Sequence, residues 1–480
     1  MRRAVLLDWL AGALLAAVVI VVWWPALGAS FQFDDWNVIV RDPRVQSLSA
    51  WLESMPGIRP LLKFSYALNH ALGGGVAGFR ALNVAVHALN AALVLRVLAG
   101  SGRRFGLPST QAAFAALVGA AVFALHPVQT EAVTYVSGRS SSLSATFALL
   151  SLLAWLRGLD TPAETRWRLA SFALFVAALG VKEPVVALPA VMAAWLVAGG
   201  AASTIPRRIA PHALLVAGGA LLVLAWAPYR AVLDGSLGAR SLGSNLVTQV
   251  DAIGWLVGQM LRPDLLVADP MLPAVAAPGL ALAARALLLL AAAATGAALL
   301  RPRPAFGFAI CWFFLWLLPT NSLVPRLDVA NDRQLYLAIV GPGWLLGLVL
   351  ARAWPRAASI RGAPAAPHGV TPLAVLALVL LAVGLATATR TRNLVYADEI
   401  AFWQDVARKS PHNARAANNL GFAYALACRD AEALAEFARG MRLGPRDSRA
   451  ALNHALLSRG ELFAENQRPC AAPPRGDATP

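Results

Sequence analysis

"WLAGALLAAVVIVVWWPALGASFQFDDWNVIV", residues 9–40, decides the fold. Its first part is an apolar run, and two adjacent acids, Asp34 and Asp35, follow closely. A run of about 18 or more apolar residues is long enough to cross a bilayer as a helix. Carboxylates at the edge of such a run lose hydration and repel each other. Two questions follow: how many such runs the chain holds, and what the acids do.

The rest of the chain repeats the apolar half of the pattern. Of 480 residues, 58% are apolar and 14% charged, against about 45–50% and roughly 25% in soluble proteins. Mean hydropathy is +0.60. These values predict an all-α polytopic membrane protein. Apolar segments lie near residues 8–28, 78–99, 111–126, 141–156, 169–182, 185–199, 209–228, 277–300, 305–319, 335–352 and 371–389. They predict a bundle of about 11 transmembrane helices. The first exceeds the ~7–15 residues of a signal-peptide core, and no A-x-A site follows it. It reads as an uncleaved span with a cytoplasmic N-terminus.

The net charge of +16 is mostly arginine in short connections. "SGRRFG", "RGLDTPAETRWR", "IPRRIA", "RPRPAF" and "RAWPRAASIRG" place one face in the cytoplasm and favour anionic lipid. That accounts for the charge without nucleic acid. The opposite connections include two long loops, 29–77 and 229–276. In the second, residues 248–262 either span the membrane or lie at its interface. Three cysteines without a CxxC pattern give no metal or redox site.

After about residue 390 the composition becomes soluble. In residues 391–465, Leu420, Gly421, Tyr424, Ala433, Phe437 and Pro445 fall on tetratricopeptide-repeat (TPR) positions. Ala417 replaces the usual Trp and Gly440 the usual late Ala. The expected organisation is a membrane domain over 1–390, a short TPR-like helical domain over 391–465 and a disordered tail over 466–480. The odd span count leaves the TPR-like segment outside.

Ionisable residues beside membrane spans are costly and read as functional. They gather in a few stretches: Asp34–Asp35; "RPLLK" with Arg59; "HPVQTEAVTYVSGRSS" with His126, Glu131 and Arg139; "GVKEPV" with Lys182 and Glu183; and "DVANDRQLY" with Asp332 and Arg333. The predicted topology puts all of them on the outer face. There Arg and Lys can hold a phosphate. A carboxylate whose pKa is raised by a like neighbour and by desolvation can act as general base. The combination suits group transfer from a lipid-linked phosphate. The plainer alternatives are that the acids cap a loop helix, that Lys182 and Glu183 pair at a span end, and that His126 bonds a carbonyl freed before Pro127. Asn83, His87 and Asn90 share one helix face and read as helix–helix glue.

In order along the chain, "FDDW", "RPLLKFSYALNHALGG", "FALHPVQTEAVTYVSGRSSS", "KEP" and "NDRQLYLAIVGP" lead into the TPR-like segment. This pattern resembles the transmembrane-and-tetratricopeptide O-mannosyltransferase family of the GT-C glycosyltransferase superfamily, in the form of a bacterial relative. The resemblance implies a GT-C-like bundle. It implies an inverting glycosyltransferase that moves a sugar from a polyprenyl-phosphate donor to a hydroxyl of a protein or envelope glycan. It also implies Asp34 as base, with Asp35 tuning it or touching the acceptor, and Arg139, Lys182, Arg333 and Arg59 on the donor phosphate. His126, Glu131, Glu183 and Asp332 would support these groups or meet the acceptor. No cofactor is firmly implied; the acids could hold a divalent metal, but none is predicted.

The Ala-, Arg- and Leu-rich composition points to a bacterial inner membrane with the TPR-like segment periplasmic, where it could also bind a protein partner. The repeat segment is shorter than in animal members, and "NDR" departs from their register. The alternatives are an oligosaccharide ligase or polymerase using a lipid diphosphate, a transporter or flippase, and a non-catalytic TPR scaffold.

Overall fold

The structure, a computed structural model, describes residues 2–277, 279–359 and 372–463. The predicted tail 466–480 and residues 360–371 lie outside the described residues. Every described element is a helix. The predicted apolar segments fall on Arg2–Trp23, Gly75–Arg104, Ser109–Leu125, Arg139–Leu159, Glu164–Val181, Leu188–Ala198, Ile205–Ala225, Leu280–Leu299, Pro304–Leu317, Val340–Ser359 and Pro372–Leu394. Among the described residues, 6 helices are long and apolar enough to cross a membrane, or up to 8 if each of two bent pairs is one span. Glu183–Ala198 and Pro304–Leu317 are apolar but shorter. The chain is therefore an all-α polytopic membrane protein.

The two bends place the polar motifs. Ser109–Leu125 stops at His126, and Pro127–Val133 leaves at 49°. Pro127 has no N–H to continue the ladder. His126 closes the end: its Nδ1 accepts from Val128 N at 3.1 Å, and its Nε2 bonds Met260 O at 2.9 Å. Asp332–Ala338 and Val340–Arg352 meet at 48°. Irregular backbone near a membrane is tolerated where protein covers it, and both breaks are buried.

The tightest packing surrounds these breaks. A Cβ at Gly347 would collide with the Ala115 carbonyl, one at Gly119 would lie 3.0 Å from Trp344 Cα, and one at Gly341 would collide with Ala309 O. Small residues let these helices approach closely, as is common between membrane helices. Asn83, His87 and Asn90 face inward as glue. Asn83 Nδ2 donates to Val133 O at 3.0 Å, His87 meets Ala124 O at 3.0 Å, and Asn90 Nδ2 donates to Tyr336 Oη at 2.9 Å.

The first of the two long loops, 29–77, contains helices Leu48–Glu53 and Pro60–Leu72. The second contains Ala227–Ala239 and Leu242–Leu261. Leu242–Leu261 covers most of the ambiguous stretch 248–262 and is not among the helices apolar enough to cross a membrane. Its polar side chains turn inward: Asn245 Nδ2 donates to Ser322 O at 2.7 Å, and Gln249 Oε1 accepts from Asn321 Nδ2 at 2.8 Å.

Beyond residue 398, helices Glu399–Lys409, Ala414–Leu426, Asp430–Leu443 and Ser448–Ser458 each pack on the next. Asp398 and Asn413 cap the first two, accepting from Ala401 N at 2.8 Å and Ala416 N at 3.0 Å. A Cβ at Gly421 would lie 2.7 Å from Phe437 Cδ1, so these two positions fix one close helix crossing. This helical group rests on the second long loop, 229–276. Lys409 Nζ donates to Leu266 O at 2.7 Å, and Asn413 Nδ2 donates to Asp269 O at 3.0 Å.

Candidate active site

The adjacent acids occupy different environments. Asp35 is fully buried. Its carboxylate accepts from Ser137 N at 2.7 Å, Gln32 N at 3.1 Å and Val136 N at 3.4 Å. It joins the loop 29–77 to the start of Arg139–Leu159. Burial raises its pKa to about 6, against the opposing pull of the Gln32 and Ser137 hydrogen bonds. Desolvation, rather than the repulsion expected from Asp34, is the largest cause. Asp34 is half-buried. Its N–H donates to Tyr135 Oη at 3.0 Å. Its charge acts on both Tyr135 and Arg333. Burial first, then the Asp34 and Asp35 charges, push the Tyr135 phenol well above its usual range.

Four cations gather beside this loop. Lys182, Arg326 and Arg333 line a small cavity of about 50 Å³ with Ser141 and Ser144. Arg59 is close enough to act on Lys182 and Arg326. Two carboxylates compensate them in part. Arg333 Nε lies 3.1 Å from Glu131 Oε1, and Arg333 N donates to Glu131 Oε2 at 3.1 Å. Arg59 pairs with Glu183 at 2.7 Å. Lys182 Nζ donates to a neutral partner, Ser141 Oγ, at 2.7 Å. Burial, then the charges of Arg333, Arg59 and Arg326, hold the Lys182 amine well below its usual pKa. Burial and the Arg333 and Arg59 charges lower Arg326 to about 10. Such mutual penalties persist where a site is built to receive an anion.

A second cavity, of about 210 Å³, adjoins the first. Phe33, Glu131, Tyr135, Arg333, Tyr396 and Arg415 are among its walls. Arg333 borders both cavities and its partner Glu131 lines the larger, so this ion pair stands where a cationic chamber meets a mixed aromatic and charged one.

Thus Glu131, Lys182 and Arg333 line the cavities. Asp34, Arg59 and Glu183 line neither but stand beside them, Asp34 through Tyr135 and its charge on Arg333, Arg59 and Glu183 as a pair whose charges act on Lys182. Other candidates are placed elsewhere. Arg139 is fully buried and lines neither cavity. Its guanidinium donates to Asn83 Oδ1 at 2.6 Å, Asn69 Oδ1 at 2.7 Å, Phe79 O at 2.9 Å and Ser65 O at 3.0 Å. Those four acceptors use its donors as an internal strut. His126 is the helix-end cap already described. Asp332 is buried behind Glu131 and lines neither cavity. Among the described residues, no three His, Cys, Asp or Glu side chains gather to hold a metal ion.

Sequence reasoning missed Tyr135, Arg326 and Arg415. Tyr135 stood inside a quoted motif, and Arg326 stood six residues before Asp332 in a loop already singled out. Arg415 lies in the C-terminal helices and carried no local signal.

No family model and no solved structure matches the chain. Curated protein O-mannosyl-transferases do match part of it. Tmtc2 of Drosophila melanogaster is 33% identical over 169 residues, 32% of this chain and 16% of that protein. TMTC4 of Homo sapiens is 29% identical over 212 residues, 38% of this chain and 28% of that protein. TMTC3 of Homo sapiens is 26% identical over 182 residues, 35% of this chain and 19% of that protein. The chain thus spans between 16% and 28% of the length of these relatives.

Proposed function

We propose that this chain is a GT-C-type inverting glycosyltransferase. It transfers a sugar from a polyprenyl-phosphate donor to a hydroxyl of a protein at the outer face of the membrane. One observation carries the reading: cations outnumber acids in a chamber beside the Asp34 loop. Glu131 and Glu183 offset Arg333 and Arg59, and among the described residues no carboxylate forms an ion pair with Lys182 or Arg326. The names of the partial relatives agree with glycosyl transfer to protein.

In this reading the lipid phosphate enters the cationic chamber. Arg326 and Arg333 supply guanidinium donors and Lys182 a point charge. The acceptor hydroxyl approaches from the larger cavity. Its oxygen bonds to the anomeric carbon as the bond from that carbon to the phosphate oxygen breaks. The electron pair of the broken bond leaves with the phosphate, and the hydroxyl proton passes to the Asp34 carboxylate. A phosphodiester with one negative charge becomes a phosphomonoester with up to two. The cations therefore act most strongly as the leaving group departs, which is where electrostatic stabilisation accelerates a reaction. Asp35 acts through the backbone it holds. Arg139 has no place on the phosphate. The helices of 399–458 are read as a short TPR-like unit on the periplasmic side of a bacterial inner membrane.

The test supplies purified protein in lipid with a panel of polyprenyl-phosphate sugars and follows release of the bare lipid phosphate. Asp34→Asn should lower turnover by about 10²–10⁴-fold without changing thermal stability. Full turnover in that variant removes Asp34 as base. Turnover only with lipid-diphosphate oligosaccharides transfers the chain to the ligase class.

A further inference from the structure

The acid loop is held from outside the membrane domain. Ser30 N donates to Ala397 O at 3.2 Å, and Gln32 Nε2 donates to Tyr396 O at 3.4 Å. Trp36 Nε1 donates to Glu399. These contacts bracket Asp34 and Asp35 on both sides. Between them stands Phe33, whose φ of 46° is in the left-handed region. A bulky residue adopts that region only where its surroundings impose it. The C-terminal helices supply the contacts to the ring itself, while on its far side Tyr135 holds the Asp34 N–H and Ser137 the Asp35 carboxylate. Trp403 meets the Phe33 ring edge-on with centroids 5.4 Å apart, and the Arg415 guanidinium lies 5.3 Å from the same ring.

Arg415 is itself fixed. Its Nε donates to Asp269 at 2.8 Å and its Nη2 to Asp328 at 3.2 Å. It thereby ties the 229–276 loop and the 328 loop to the 29–77 loop, and it lines the larger cavity with Phe33 and Arg333.

We propose that Trp403 and Arg415 are positioning residues: the C-terminal helices hold Phe33 and so aim Asp34 toward the chamber shared with Arg333. The role in turnover rests on the glycosyltransferase reading; the grip on the loop does not. On this view the C-terminal helices form part of the active site, whatever else they bind. A misplacement of about 1 Å at a reacting group costs roughly 10²-fold in rate, so a remote clamp on one loop matters.

The experiment uses the full chain in lipid and compares wild type, Arg415→Met and Arg415→Lys. Arg104→Met serves as control, because its exposed ion pair with Asp160 sits at the end of Gly75–Arg104 opposite the one that meets this loop. Three quantities are read: turnover with whichever panel donor wild type uses, affinity for undecaprenyl phosphate, and amide hydrogen exchange. Arg415→Met should lower turnover by about ten- to hundredfold and leave undecaprenyl phosphate affinity unchanged. It should accelerate exchange in residues 31–38 but not in Ser109–Leu125. Arg415→Lys, which keeps the charge but loses the bidentate fork and the stack on Phe33, should recover only part of the loss. Wild-type exchange at 31–38 overturns the proposal. So does faster exchange with undiminished turnover, or a rate loss explained by weaker lipid phosphate binding. If wild type turns over no donor, the glycosyltransferase reading fails, while exchange still decides whether the loop is gripped.

Discussion

Gly75–Arg104 and Leu280–Leu299 are nearly equal in hydropathy, 1.7 and 1.9, yet 72% of the apolar window is buried in the first and 6% in the second. The difference lies in how many polar residues they bury: Leu280–Leu299 has Arg285, half-exposed and paired with Asp251. Gly75–Arg104 carries Arg80, Asn83, His87 and Asn90, each fully buried and bonded to another segment. Leu280–Leu299 turns leucines such as Leu287, Leu288 and Leu290 outward. Polar groups inside a span must find partners, so they draw other helices around them. Lipid satisfies an apolar surface without help. A single chain thus holds spans packed by protein, which build the site, and spans whose apolar surface is left open.

The contrast can be tested by substitution. The largest effect is expected at Arg139, in a span packed by protein. Arg139→Met strands Asn83, Asn69 and two carbonyls, and should cost about 3–5 kcal/mol in thermal unfolding. Arg139→Lys should recover little, because a point charge cannot reach four acceptors spread around a planar fork.

Asp35 is next. Its folded pKa of about 6 lies above the ordinary 3.8. The fold therefore prefers the protonated acid. That contribution is complete below pH 3.8 and is lost as pH rises through 6. The span corresponds to about 3 kcal/mol. Unfolding measured from pH 4 to 7 should slope downward more steeply in wild type than in Asp35→Asn, which does not titrate. Equal slopes would remove burial as the source of the shift.

Smaller effects separate the two kinds of span directly. Gly347→Ala drives a methyl into the Ala115 carbonyl and should cost about 1–3 kcal/mol. Gly218→Ala, in Ile205–Ala225, meets nothing within 4 Å and should shift stability by less than about 0.5 kcal/mol. Comparable losses at both glycines would mean that the open span is packed by protein after all.

Much of the architecture was legible because hydropathy acts locally. Every apolar run became a helix, and Pro127 ended one where its missing N–H requires. The gathering of Asp34, Lys182 and Arg333 was also legible, since charge beside a span needs a reason. The division of labour was not. Nothing in "FDDW" says that Asp35 meets three backbone N–H groups while Asp34 stays half-open; that depends on residues 136 and 137 arriving a hundred positions later. Arg139 reads like Arg333 in sequence. One found neutral acceptors and became internal, while the other found Glu131 at a cavity wall. Helices inside the 29–77 loop escaped notice because they are short and only partly apolar.

The Arg333–Glu131 pair has a consequence for ligand binding. A compound that fills either chamber alone leaves the ion pair in place. A compound bridging both must pry the pair apart and strand a buried carboxylate. A ligand joining two halves, one per chamber, should therefore bind more weakly than the product of the halves' affinities suggests, unless its linker carries a cation for Glu131.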